Sequence, residues 1–367
     1  MTVPRRGRAG PLAALALGVV AIAGFGATVL TGASDGGARA VVDTAPAPGA
    51  APRATMPRFG INLSGAEAKA NDAVRPSMDD VRNAIDRLQF DLIRYPFRPD
   101  RMTPARIAEL RGIVDFARSR RVPVILDNHS SRWQPVPDQI AFWSGLARRF
   151  PDDGSVLLDL VNEPRRVPWM QWATDAKAVI AGLRKAGIRH PILLEWPGYS
   201  GITRFDKHEP SSKECASAAC ALERTPGPLD PADNTFLNGH RYFDADGSGT
   251  KAACKKKDGQ PRTESGFDRF AAQLRKRGWK GYITESAFGG YGAIPASCRA
   301  VGEDAVADLR ANGDVLLGVT WWGGGRMWPD RYPFKIECAK AERMRCPLSD
   351  YQRMIRPAPR GERGVGR

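Results

Sequence analysis

Residues 157–164 read Leu-Leu-Asp-Leu-Val-Asn-Glu-Pro, LLDLVNEP. An apolar, strand-like run ends in an amide, a carboxyl group and a proline. Proline cannot donate to a strand ladder, and it biases the preceding residue away from helix. The chain therefore carries a polar pair to a strand tip, stops the pairing and turns away. Such a tip has a chemical use if other strands deliver complementary groups to the same place.

Other short apolar runs occur at 58–63, 91–96, 122–127, 156–161, 191–196, 236–242, 280–285 and 315–322. Helical periodicity lies between most of them, at 78–89, 104–119, 137–149, 169–187, 265–277 and 301–312. Asp79, Pro104, Pro168 and Asp304 fall near expected helix starts, where acidic residues and proline fit. Strand–helix alternation implies parallel strands joined by crossovers, and eight such strands in about 290 residues fit an α/β fold of the (β/α)8 TIM-barrel type. A doubly wound sheet is the competing architecture. It usually announces itself with a glycine-rich first turn, which FGINLSGAE at 59–67 is not. Segment 203–235, after the fifth strand, carries no clear helix and reads as a cysteine-stapled loop.

The ends of the chain differ from its middle. Arg5, Arg6 and Arg8 precede an apolar run from Pro11 to Leu30, and Ala38–Ala40 offers small residues for a signal peptidase. Residues 1–40 thus read as an export signal, with an uncleaved membrane anchor as the alternative. Residues 41–56 form a Pro/Ala linker, 57–352 one catalytic-size domain, and 353–367 a basic, disordered tail. A secreted or periplasmic location follows from the export signal, with membrane attachment only if that signal is retained. The six cysteines fit disulfides in an exported chain, and proximity in sequence favours Cys215–Cys220 and Cys338–Cys346, leaving Cys254–Cys298. Zinc is not expected, because there is no C-x2-C and no paired histidine. The formal charge is +15. No basic helix interleaved with aromatics and no zinc-finger or RNA-binding signature accompanies it, so the charge reads as an arginine-rich solvated surface and nucleic acid is not expected as a partner. A monomer is expected.

In a barrel of this kind the site lies at the carboxyl ends of the strands. Strand two ends near Arg94, strand three in Asp127-Asn128-His129, and strand four in Asn162-Glu163. Strand six ends in His240-Arg241-Tyr242, strand seven in Glu285, and strand eight in Trp321-Trp322. Glu163 and Glu285, on strands four and seven, face each other across the mouth. Two opposed carboxyl groups are what glycosidic bond hydrolysis requires. One must remain protonated to serve the leaving oxygen, a state favoured by partial burial and by the other's charge. The other must remain ionised, which a hydrogen bond from Tyr242 and the cation of Arg94 would favour. Asn162 can hydrogen-bond a sugar 2-hydroxyl. Trp322 can offer an indole face to a pyranose, and Trp133 is a candidate platform further along a cleft. Trp196 and Trp328 are assigned to packing.

The ordered set GINLSG, IRYPF, ILDNHS, VNEP, HRYFDADGSGT, ITES and WWGGGRMW resembles glycoside hydrolase family 5, the cellulase family, over about residues 57–330. GHRYFDADGSGT at 239–250 and the tryptophan pattern at 321–328 are similar to its endoglucanase branch. The resemblance implies a retaining mechanism with no metal or organic cofactor, with Glu163 as acid/base and Glu285 as nucleophile. It implies that Arg94, His129, Asn162, His240, Tyr242 and Trp322 line the subsite of the attacked sugar, and that the substrate is a β-1,4-glucan. Ser130, Arg241 and the Glu-Ser-Ala at 285–287 depart from the common family pattern, so a mannan, a mixed-linkage glucan or a transglycosylation reaction stays open as an alternative. A non-catalytic carbohydrate-binding envelope protein is the alternative of another class.

Overall fold

A computed structural model describes residues 56–68, 72–207, 214–339 and 345–357. The expected export signal, most of the linker and the end of the tail lie outside the described residues.

Eight parallel strands close into one barrel in sequence order. They are β1 (Arg58–Leu63), β2 (Leu92–Phe97), β3 (Val124–Asn128), β4 (Val156–Asp159), β5 (Ile192–Leu194), β6 (Thr235–Tyr242), β7 (Gly281–Ala287) and β8 (Leu316–Gly324). The helices are α1 (Met78–Arg82), α2 (Pro104–Ser119), α3 (Val136–Ala147), α4 (Trp169–Lys185), α5 (Ala218–Arg224), α6 (Phe267–Lys276), α7 (Ala296–Ala311) and α8 (Asp350–Ile355). The strands read as apolar runs because both their faces are covered. One face packs on helices, as with Phe59, Ile93, Leu126, Leu158 and Ile283 in the main core. The other face fills the barrel with a plug of Leu92, Ile125, Leu157, Leu193 and Tyr282.

That plug sets what lies above it. Side chains of a strand alternate in direction, so residue i+2 shares the face of residue i. Two positions above Leu92, Ile125, Leu157 and Leu193 stand Arg94, Asp127, Asp159 and Glu195, all buried. The interior therefore changes from apolar to ionic in one layer, toward the carboxyl ends of the strands.

The helices follow local signals. Thr103 caps α2 by accepting a hydrogen bond from the Arg106 amide, Pro104 opens the helix, and Leu110, Ile113, Val114 and Ala117 form its buried stripe. Several elements differ from the sequence expectation by more than their ends' usual play. β4 ends at Asp159 rather than 161, because the chain begins its turn toward Glu163 earlier. The segment after β5 contains the short helix α5, pinned to α4 by Lys177, whose ammonium reaches the carbonyls of Leu222, Thr225 and Gly227. α7 starts at Ala296, one turn and more before 301, in a stretch whose apolar periodicity begins only with Cys298. α8 runs past 352 to Ile355, which is buried and whose carbonyl accepts from the Trp321 indole at 3.0 Å. A reciprocal cap between Ser349 and Gln352 starts this helix, and its anchoring on β8 makes it part of the folded body.

All three expected disulfides are present: Cys215–Cys220, Cys254–Cys298 and Cys338–Cys346. The Cys254–Cys298 bridge closes a 44-residue separation and ties the loop after β6 to α7. Replacing both cysteines by serine should cost about 2–5 kcal/mol of unfolding free energy through the freed denatured chain. Thermal unfolding measures it, and an unchanged Tm would show that packing alone holds this loop.

Candidate active site

Arg94 stands at the centre of the ionic layer and is fully buried. Its Nη1 donates to Glu285 Oε1 at 2.7 Å and to Asn62 Oδ1 at 3.2 Å. Its Nη2 donates to Asn162 Oδ1 at 2.8 Å and to Glu195 Oε1 at 3.1 Å, and lies 3.1 Å from Asp127 Oδ2. Its Nε donates to Asp159 Oδ2 at 3.1 Å. One rigid guanidinium thus organises groups from β1, β3, β4 and β7 and from the residues just past β4 and β5. Burial opposes its charge, but Asp127, Asp159, Glu285 and Glu195 outweigh that and hold its pKa well above the ordinary value. Burial and the adjacent Glu195 push Asp159 up, toward the neutral form.

Glu285 reaches this layer through an irregularity in β7. Tyr282 belongs to the barrel plug and Ile283 to the outer core, so strict alternation would point Thr284 in and Glu285 out. Instead the pairing shifts: Gly239 aligns with Ile283, and His240 with Glu285. The extra residue lets Thr284 and Glu285 both turn inward. Thr284 Oγ1 donates to Asn238 Oδ1 at 2.7 Å, while Glu285 Oε2 accepts from the Tyr242 hydroxyl at 2.9 Å. Burial alone would raise the pKa of Glu285, but His240, Arg94 and His129 bring it below the usual carboxylate value. It is a buried carboxylate kept ionised.

Glu163 is held differently. Its backbone adopts φ of 41°, a left-handed conformation unusual for a non-glycine residue. Its amide donates to Glu195 Oε2 at 2.6 Å, and the same oxygen accepts from the Ser200 hydroxyl at 2.6 Å. Glu195 is thus the clamp that sustains the tight turn before Pro164. The Glu163 side chain keeps 16% of its surface exposed, with Oε1 3.1 Å from His240 Nδ1 and Oε2 3.5 Å from Arg165 Nη2. His240 sits between the acids, its Nε2 3.2 Å from Glu195 Oε1 and its Nδ1 3.7 Å from Glu285 Oε2. Burial opposes its protonation, but Glu195 and Glu285 prevail and raise its pKa well above the ordinary value.

One carboxylate oxygen of Glu163, one of Glu285 and a ring nitrogen of His240 all lie within 4.8 Å of one another. Among the described residues this is also the group that could in principle chelate a metal. Arg94 already donates to Glu285 and would repel a cation there, so the donor set fits a metal poorly. Short carboxyl separations of this size match double displacement, whereas inverting pairs stand about 6.5–9.5 Å apart.

The remaining expected residues divide. His129 hydrogen-bonds Asp127 at 2.8 Å and stacks on Trp322, with centroids 5.7 Å apart and planes 17° from parallel. Asn162 has its oxygen engaged by Arg94, which leaves its NH2 as the end that can donate to a ligand. Trp133 is not gathered in: its indole donates to Asp175 of α4 at 3.1 Å, and it packs against the core. Trp196 is buried against Phe205 and Phe270, as packing requires. Two further residues join the site beyond those the sequence pattern singles out. Glu195 follows the fifth apolar run in PILLEW and shows the same apolar-to-acidic step as the other strand ends. Tyr199, in EWPGYSG, is 60% exposed and lies beside Glu163 in a cleft of about 860 Å3.

Removing the central cation should leave buried carboxyl groups uncompensated. Arg94→Met is expected to cost about 3–5 kcal/mol in urea denaturation. A second expectation concerns pH. Burial opposes the charge on His129, but Asp127 raises its pKa to about 9 from 6.5. The folded state then holds this proton more tightly than the unfolded chain, so the contribution is complete below pH 6.5 and is lost as pH rises through about 9. Unfolding free energy should fall over that window, and the fall should be shallower in His129→Gln; superimposable profiles would contradict this.

Comparison with known proteins agrees with this geometry. Endo-beta-1,4-glucanase B of Emericella nidulans is 27% identical over 314 residues, spanning 78% of this chain and 87% of the relative. Endoglucanase gh5-1 of Neurospora crassa is 26% identical over 307 residues, spanning 76% and 72%. Among solved structures, XacCel5A in complex with cellopentaose superposes with a TM-score of 0.69 at 26% identity, over 82% of this chain and 99% of that one. The family model described as cellulase (glycosyl hydrolase family 5) matches residues 54–325, and with the barrel and its paired carboxyl groups in place the chain belongs to that family.

Proposed function

We propose that the protein is an exported, single-chain retaining endoglucanase that cleaves β-1,4-glucan by double displacement, with Glu163 as acid/base and Glu285 as nucleophile. The observation that carries this is the approach of Glu163 and Glu285 to within 4.8 Å, with Glu285 held ionised by His240, Arg94 and His129. The named endoglucanase relatives support the choice of glucan. Export is supported by the basic and apolar start of the sequence and by three disulfides. No helix among the described residues is long and apolar enough to cross a membrane.

In the first step Glu285 attacks the anomeric carbon while Glu163 delivers its proton to the departing oxygen. Ester formation removes the charge from Glu285. Arg94 then remains balanced by Asp127 and Glu195, so the intermediate does not strand a bare cation. In the second step Glu163 takes a proton from water, whose oxygen attacks the same carbon and displaces Glu285 as a carboxylate, breaking the ester. The Asn162 amide meets the 2-hydroxyl, a bond that strengthens as the sugar ring gains positive character. Trp322, with His129 stacked against it, offers a face to the attacked sugar.

Glu285→Ala should abolish hydrolysis of cellopentaose while leaving its binding nearly intact. Glu163→Gln should lose about 10²–10⁴-fold on the same substrate and far less on an aryl glycoside whose leaving group needs no proton. Proton NMR of the first product should show the β anomer, and an α product would rule out double displacement. Parallel digestion of hydroxyethyl-cellulose, lichenan and glucomannan tests the glucan choice; faster release from glucomannan would overturn it.

A further inference from the structure

The cleft beside Glu163 is unlike the site it adjoins. It is walled by loops following β4, β5 and β6 and by the first turn of α6. Trp322, His129 and Glu285 do not line it. If Glu163 protonates the departing oxygen, as proposed above, this cleft receives the sugars on the leaving-group side of the scissile bond.

Its charge is one-sided. Arg165, Arg204, Arg241, Lys257, Arg262 and Arg269 line it, against Glu163 and Asp246. Asp246 is already engaged by Ser248 and Lys251. Arg269 pairs with Glu264 outside the lining, at 2.8 Å. Arg241 and Arg262 are fixed through main-chain carbonyls, Arg241 Nε to Ser265 and Arg262 Nε to Phe243, each at 3.0 Å. These contacts hold the guanidinium groups in place without neutralising them. Burial first, and then the neighbouring Arg262 and Arg269, bring the pKa of Arg241 down to about 10 against the opposing charge of Asp244. The Arg165 guanidinium lies 5.0 Å from the ring of Tyr199, which combines an aromatic platform with a charge in one wall.

A neutral glucan would gain only hydrogen bonds to its hydroxyls from these donors, whereas an anion would also relieve the repulsion among them. The cations come from different walls of the cleft: Arg241, Arg262 and Arg269 neighbour one another on β6, the loop after it and α6, while Arg165 stands against Tyr199 on the loops after β4 and β5. That spread suits single charges distributed along a chain better than one concentrated dianion. We propose that the leaving-group side of the cleft is a subsite for carboxylate-bearing β-1,4-glucan, formed by Arg165, Arg204, Arg241, Lys257, Arg262 and Arg269 with Tyr199 as the sugar platform. The orientation rests on the roles assigned to Glu163 and Glu285; the anion preference does not.

The test compares cellopentaose with a cello-oligosaccharide of equal length oxidised to the uronate at C6 of its leaving-group-side residues. At low salt kcat/KM should favour the uronate chain by about tenfold, and the ratio should approach one at about 0.5 M salt, where surface charges are screened. The ratio should also approach one in the double variant Arg204→Gln, Lys257→Gln. Calorimetry on Glu285→Gln, which needs no turnover, should show the same preference in binding. A ratio at or below one in both kinetics and binding overturns the subsite, and hydrolysis of cellopentaose would still stand. Inhibition by inorganic phosphate without any preference for the uronate chain overturns it in favour of a phosphate site. Preferential binding of the uronate chain with no hydrolysis of either chain keeps the subsite and sinks the glucanase reading instead.

Discussion

The site depends on one buried guanidinium. Arg94 offers its fixed fork of donors to Asn62, Asn162, Asp159, Glu195 and Glu285, and also faces Asp127. A planar, always-charged group is suited to this, because each donor direction fixes the position of a different strand end. Burying it alone would be prohibitive, and burying that many acids alone would be equally so. Each makes the other tolerable, and the charge of the assembly is adjusted further by Asp159, driven toward its neutral form. Two histidines, both with raised pKa, complete the layer.

This arrangement separates the environments of the two acids proposed to act. Glu285 lies in the ionic layer, fastened to Arg94 and Tyr242 and kept negative. Glu163 stands at the rim on a left-handed turn, partly open to the cleft, with its backbone rather than its carboxyl group clamped by Glu195. The two like residues differ in position: Glu285 is buried against Arg94 and Tyr242, while Glu163 keeps part of its side chain open where a substrate oxygen and a water can reach it. The strain at Glu163 is sustained because Glu195 accepts from both its amide and Ser200.

The two sides of the mouth differ in character. Toward β3 and β8, His129 and Trp322 stack to form an aromatic wall. Beyond β4, β5 and β6 the wall becomes cationic, with Tyr199 as its exposed ring. A polysaccharide lying across the pair would meet an apolar, ring-gripping half and a charged half. Loops at the carboxyl ends of strands can change in this way without touching the barrel that positions the acids.

Much of this was legible in the residues. The eight apolar runs, the alternation with helices and the polar strand ends announced the barrel, since strands covered on both faces must be apolar until they reach the mouth. Cysteine proximity gave the disulfide pairs. Short elements were not legible: α5 and the early start of α7 have too few residues of periodicity to stand out, and their positions come from packing and the disulfides. Trp133 shows that an aromatic near a strand end can as readily be tethered to a helix, here through Asp175. Sequence by itself determined which chemical groups reach the carboxyl end of the barrel. Only the tertiary structure decided that Glu285 faces inward, because a period-two strand would have sent it out toward the helices. The shift of register against β6 turns it toward Arg94, and pairing between two strands more than forty positions apart is invisible in either strand alone.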